Sequence, residues 1–152
     1  MTDEQRLVAW GDELVKLHDG FRRDLANLRS PGDPLGGLLG GPLGGLGGAD
    51  LRTHCLAFCD ALHAHHEGED GALFPHLGGE HPELAEVLDR LRAEHVVVSR
   101  LMERIRALLD TGPEGVGAEL DRLAAELEAH LDYEEEQLVP VLNRMTTLPD
   151  NI

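Results

Sequence analysis

The chain has 152 residues, with 13 Lys and Arg against 29 Asp and Glu, a formal net charge of −16. A chain of this length forms one domain that buries about 70 % of its unfolded surface. Its acidity disfavours nucleic acid and anionic membranes as partners, and no apolar run approaches the ~20 residues of a membrane span. The opening MTDEQRLVAW has no basic stretch followed by an apolar one, so no secretory leader is expected. Two cysteines, Cys55 and Cys59, are too few for a disulfide framework, and a cytoplasmic location is the expectation.

Helical periodicity runs through most of the sequence, and β-branched residues are too few for a sheet. Thr2 or Asp3 can cap a first helix that Ser30-Pro31-Gly32 stops after Arg29. Residues 31–48 hold nine glycines, three prolines and five leucines, a composition that predicts a Gly/Leu-rich loop over 31–49. Its leucines either fold back over the helices or belong to a loose tether. Asp50 is the predicted cap of a second helix ending near Leu77 at Gly78-Gly79. Pro82 opens a third helix lasting to about Asp110. After TGPEGVG a fourth runs from about Ala118 to Asn143, leaving 144–152 as a tail. The prediction is an all-α domain over 1–152, an up-down-up-down four-helix bundle.

The inward stripes carry histidine where apolar residues are expected. The first helix reads Leu7, Gly11, Leu14, His18, Phe21, Leu25, Leu28. The third reads Leu84, Leu88, Leu91, His95, Val98, Met102, Ile105, Leu109, and the fourth Leu120, Leu123, Leu127, His130, Glu134, Leu138, Val141. The second offers His54, Phe58, Ala61 or Leu62, His65, Glu69 and Leu73. A single core histidine is usually a satisfied buried group. Here each helix has one near its middle, and at ~1.5 Å per residue the four fall within about one turn of a common level.

An internal repeat sets the register. His65-His66-Glu67-Gly68-Glu69-Asp70-Gly71-Ala72-Leu73-Phe74-Pro75 and His130-Leu131-Asp132-Tyr133-Glu134-Glu135-Glu136-Gln137-Leu138-Val139-Pro140 both read H-x-x-x-E-[DE]-x-x-L-[FV]-P. A His and a Glu four apart share a helix face and can reach one cation, or bridge two. Aligning the prolines pairs His65 with His130 and Glu69 with Glu134, which sets His66–Asp70 aside; Glu135 stays a rival to Glu134. Each proline is expected to kink or end its helix.

The expected cage is four imidazoles and two carboxylates, a donor set for first-row transition metals rather than Ca²⁺ or Mg²⁺. Bridging carboxylates point to two metals, with iron the common occupant of such bundle cores and zinc or manganese the alternatives. The competing reading is a hydrated polar belt, in which two carboxylates would be buried without a cation at a cost of several kcal/mol. Cys55 and Cys59 are read as apolar packing groups, His54 as a satisfied core histidine, and His63, His76 and His81 as surface or turn residues.

Across roughly residues 5–143, outside the Gly/Leu segment, the pattern resembles the hemerythrin-like, HHE cation-binding, family. The resemblance rests on His18, His65-His66-x-x-Glu69-Asp70-x-x-Leu73-Phe74-Pro75, Glu94-His95 and His130-x-x-x-Glu134. It implies a four-helix bundle with two Fe ions joined by an oxo or hydroxo bridge, held by His18, His65, Glu69, His95, His130 and Glu134. It further implies a small diatomic or peroxide ligand. Oxygen carriers of the family have two histidines four apart on the third helix, whereas Ser99 follows His95 at that spacing here. On this resemblance the site is one nitrogen short, which favours turnover of an oxidant over reversible binding.

The expected function is therefore a non-haem di-iron protein that binds or reacts with O₂, peroxide or nitric oxide in oxidative or nitrosative stress defence. As an enzyme it would be an oxidoreductase, with a reductant protein as partner. The alternatives are a non-catalytic O₂ or iron sensor, a reversible O₂ binder, and an iron store. Tyr133, the single tyrosine, is either a catalytic group near the centre or a residue of the helix seam.

Overall fold

A computed structural model describes residues 10–29 and 41–144, and all of its regular structure is helical. α1 spans Trp10–Arg29 and α2 Gly41–Gly68. A π-helical turn, Glu69–Leu73, joins α2 to the short α3, Phe74–Glu80. A 3-10 turn, Pro82–Leu84, leads into α4, Ala85–Thr111, and a second, Pro113–Gly115, into α5, Val116–Arg144. α1 packs on α2 and α5, and α4 packs on the same two helices.

The four predicted helices are present, and their boundaries differ from the expectation at informative places. The second starts at Gly41, not at Asp50, so 41–49 is helix rather than loop. Nucleation is the costly step of helix formation. Once the later turns are fixed, each added glycine costs only its propensity, ~1 kcal/mol against alanine. The caps Thr2 and Asp3, the stripe residue Leu7, loop residues 31–40 and tail residues 145–152 lie outside the described residues. Gly78-Gly79 does not stop the second helix, which continues to Glu80 and breaks at His81, with φ −133° and ψ 76°. Pro140 lies inside α5, which continues past it to Arg144.

Pro75 acts differently. It has no N–H to return to the preceding turn. Just before it the helix widens into the π turn, where Phe74 N–H donates to the Glu69 carbonyl. π turns inside α-helices are frequent at functional sites.

The core divides in two. One cluster is built on Phe21, Leu25, Phe58, Leu62, Val98, Leu123, Leu127 and Leu131. The other is built on Leu14, Leu73, Phe74, Leu77, Leu88, Leu91 and Leu138. Between them in every helix stand the polar residues: His18 after Leu14, His65 to Glu69 before Leu73, His95 after Leu91, and His130 to Glu134 before Leu138. Cys55 and Cys59 are free, buried thiols in the first cluster, as expected of packing groups. Burial pushes the Cys59 thiol up to about 11.

Gly11 permits a close approach of α1 to α5. Its N–H donates to Asn143 Oδ1 at 2.7 Å. A Cβ there would lie 2.7 Å from the Val139 carbonyl oxygen.

Candidate metal centre

The structure brings together all six residues singled out by the repeat and the stripes, and adds a seventh. His18, Glu69, His95, His130 and Glu134 are each no more than 4 % exposed, and the His65 side chain is 12 % exposed. The addition is His66, buried to 4 %. The ligand atoms fall into two groups, His18, His65, Glu69 and Glu134, and His66, Glu69, His95 and His130, each within 4.8 Å of one another.

Both carboxylates straddle the groups. Glu69 Oε2 lies 3.2 Å from His65 Nε2, while its Oε1 lies 3.1 Å from His95 Nε2. Glu134 Oε2 lies 3.3 Å from His18 Nε2, while its Oε1 lies 3.4 Å from His130 Nε2. Two donors at right angles around one transition metal, each about 2.1 Å from it, would be about 3.0 Å apart. Five imidazole Nε2 atoms and all four oxygens of Glu69 and Glu134 are buried with no hydrogen-bond partner. Buried polar atoms are ordinarily paired, so such a convergent set fits a cation.

Burial, then the charge of Glu134, pushes the Glu69 carboxyl well above the usual carboxylate range. Burial acts the same way on Glu134, but contacts with Glu69, His130 and His18 outweigh it and hold that group well below. Burial drives His65 down to about 4 and lowers His66 and His95 as well, so these rings are uncharged at neutral pH, each with one nitrogen lone pair to offer. His130 is raised, because contacts with Glu134 and Glu94 outweigh its burial.

Three rings are oriented from behind. His18 Nδ1 pairs with Glu135 Oε2 at 2.7 Å, His95 Nδ1 with Asp70 Oδ1 at 2.9 Å, and His130 Nδ1 with Glu94 Oε1 at 2.8 Å. A carboxylate accepting from Nδ1–H fixes the tautomer that leaves the Nε2 lone pair free for a metal. Arginines in turn hold two of these carboxylates: Arg22 Nη1 is 2.9 Å from Glu135 and Arg90 Nε is 3.0 Å from Glu94. Glu134 and Glu135 therefore have separate places, the former among the unpartnered atoms and the latter behind His18.

His66 stands beside the four expected imidazoles as a fifth. Aligning the prolines gave weight to the i,i+4 spacing alone, yet His66 and Glu69 are three apart, which also puts them on one face. Adjacent residues on a helix stand about 100° apart, so His65 and His66 flank Glu69 and reach one group each. A fifth imidazole nitrogen therefore stands among the convergent atoms, on the second helix and not at position 99.

One other expectation fails, and one of the two places expected for Tyr133 is occupied. His54 is exposed rather than a core residue. Tyr133 packs on the second apolar cluster beneath the Arg90 guanidinium, 3.8 Å from its ring centroid, on the seam rather than among the convergent donors.

The family model of the hemerythrin HHE cation-binding domain matches residues 11–142. The chain belongs to that family. A search of curated proteins and a search of solved structures each returned no match.

Proposed function

We propose that this chain is a di-iron protein that takes a small oxidant (O₂, peroxide or nitric oxide) at a centre inside an up-down-up-down four-helix bundle. The observation carrying this reading is the set of five unpartnered Nε2 atoms and two unpartnered carboxylates in two groups sharing Glu69. His18 and His65 would hold one ion, His66, His95 and His130 the other, with Glu69 and Glu134 spanning both. Iron bound there would supply redox chemistry towards a small ligand. The His18 side offers fewer nitrogens, so an ion held there would have fewer protein donors.

The chain's own contribution is to fix and shelter the donors. Glu135, Asp70 and Glu94 each hold a ring by its Nδ1. Phe21 stands against His65, with ring centroids 5.4 Å apart, and Phe74 stacks on His95 at 5.5 Å. These rings and the two apolar clusters keep bulk water from the Nε2 side.

The five-imidazole set also favours a second reading. With His66 as a fifth nitrogen donor the shortage that pointed to turnover of an oxidant would not arise, so reversible O₂ binding, in a carrier or a sensor working with a partner protein, competes with an oxidoreductase of stress defence that draws on a reductant. Metal analysis of chain purified without chelator and supplied with iron tests the centre. We expect two iron ions per chain, and zero or one overturns the proposal. Stopped-flow spectra of the reduced protein separate the two uses. Recovery of the reduced spectrum on removing O₂ supports binding, and irreversible oxidation with peroxide consumption supports the enzyme.

A further inference from the structure

The centre is closed above and below by apolar packing, but between α2 and α4 the surface opens into a cleft of about 330 Å³. His66 and His95 line it, each only 4 % exposed and each with an unpartnered Nε2. Its remaining charged lining is Glu67, Asp70 and Glu103 against one guanidinium, Arg100, with His63 paired to Glu67. Carboxylates outnumber arginines in a concave, low-dielectric surface, which concentrates cations at its mouth.

Asp70 differs from the other two carboxylates that hold a ring. Glu135 and Glu94 are pinned by Arg22 and Arg90, whereas no arginine pairs with Asp70 among the described residues. Its side chain is 42 % exposed, and one oxygen lies 2.9 Å from His95 Nδ1. It thus joins the solvent side of the cleft to a ring whose other nitrogen faces the centre. His18, His130 and Glu134, at 0 to 1 % exposure, lie deeper.

We propose that this cleft is the route by which a divalent cation loads the centre: Glu67 and Glu103 draw the ion in, and Asp70 passes it to His66 and His95. The inference rests on the metal-centre reading above. Arg100 tempers the field, so the cleft attracts a dication without trapping it at the rim. Neither Glu67 nor Glu103 belongs to the convergent donor set, so removing their charge changes the rate of arrival and leaves the final site intact.

The test uses the full chain stripped of metal and mixed rapidly with Co²⁺, whose visible absorption reports binding to nitrogen and carboxylate donors. The variant is Glu67→Gln with Glu103→Gln. The control, Glu126→Gln with Glu136→Gln, removes the same charge from exposed positions on α5. We expect the cleft variant to reach the parent's final cobalt content about three- to tenfold more slowly at low ionic strength. That gap should close towards 1 M salt, where the Debye length is only about 3 Å. Equal rates for parent and cleft variant overturn the route, as does an equal slowing of the control. A parent that takes up no cobalt overturns the metal centre itself, which is a different result from a parent that loads alongside an unslowed variant.

Discussion

At the scale of residues, the centre depends on pairs in which one side chain decides what the next can do. Glu135 behind His18, Asp70 behind His95 and Glu94 behind His130 each occupy Nδ1 and leave Nε2 to the interior. His65 and His66 have no such carboxylate among the described residues; burial first, and then the neighbouring imidazoles, keep them neutral. His66 is the sharpest test of the donor set, because it stacks on His95 with ring centroids 3.8 Å apart and closes the second group. We expect His66→Ala to lower iron content from two ions per chain towards one, read by metal analysis of folded protein. Undiminished content would remove His66 from the set. The residue was readable in the sequence as the second half of a His-His pair three positions before Glu69, but spacing along one helix does not say which ring meets a donor on a neighbouring helix.

At the scale of elements, each helix is adjusted where it serves the site. The π turn at Glu69–Leu73 takes up the missing Pro75 N–H and sits where Glu69 must face both groups. α5 has the same H-x-x-x-E-x-x-x-x-x-P pattern and stays α-helical through Pro140, so the repeat specifies donor positions without specifying the winding. α1 and α5 are drawn together at Gly11, where Asn143 accepts from the backbone N–H. Gly11→Ala would push a methyl group onto the Val139 carbonyl and break that hydrogen bond. Overpacking of this kind costs about 1–3 kcal/mol. Thermal unfolding should therefore show Tm lower by several degrees, since 1 kcal/mol shifts a domain of this size by about 2–4 °C. An unchanged Tm would mean that the two helices can move apart there without loss.

For the molecule as a whole, a polar layer between two apolar clusters is a standing cost unless a cation satisfies it. Two buried carboxylates and five unpartnered imidazole nitrogens oppose folding in the metal-free chain. A ligand that binds only the folded state returns about 2.7 kcal/mol at 100 times its Kd. Chelation should accordingly lower Tm by several degrees, and re-addition of iron should restore it. A Tm indifferent to metal would show that the layer is satisfied by other means. Among the described residues no helix is long and apolar enough to cross a membrane, in keeping with core stripes interrupted by charge.

The helices, their buried faces and the level of the polar layer are consequences of local spacing, which is why His18, His65, Glu69, His95, His130 and Glu134 could be named from periodicity and one repeat. A face and a height are properties of a single helix, and they are legible in a linear string. The Gly41 start of α2 was not, because summed propensity omits the support that an already formed helix gives its next turn. Nor were the roles of Asp70, Glu94 and Glu135, since each acts on a ring carried by another helix, 25, 36 and 117 residues away in sequence. Tertiary packing alone decided those partners and drew His66 inward, because they depend on how helix faces meet across the core. The order of residues along any one helix does not contain that distance.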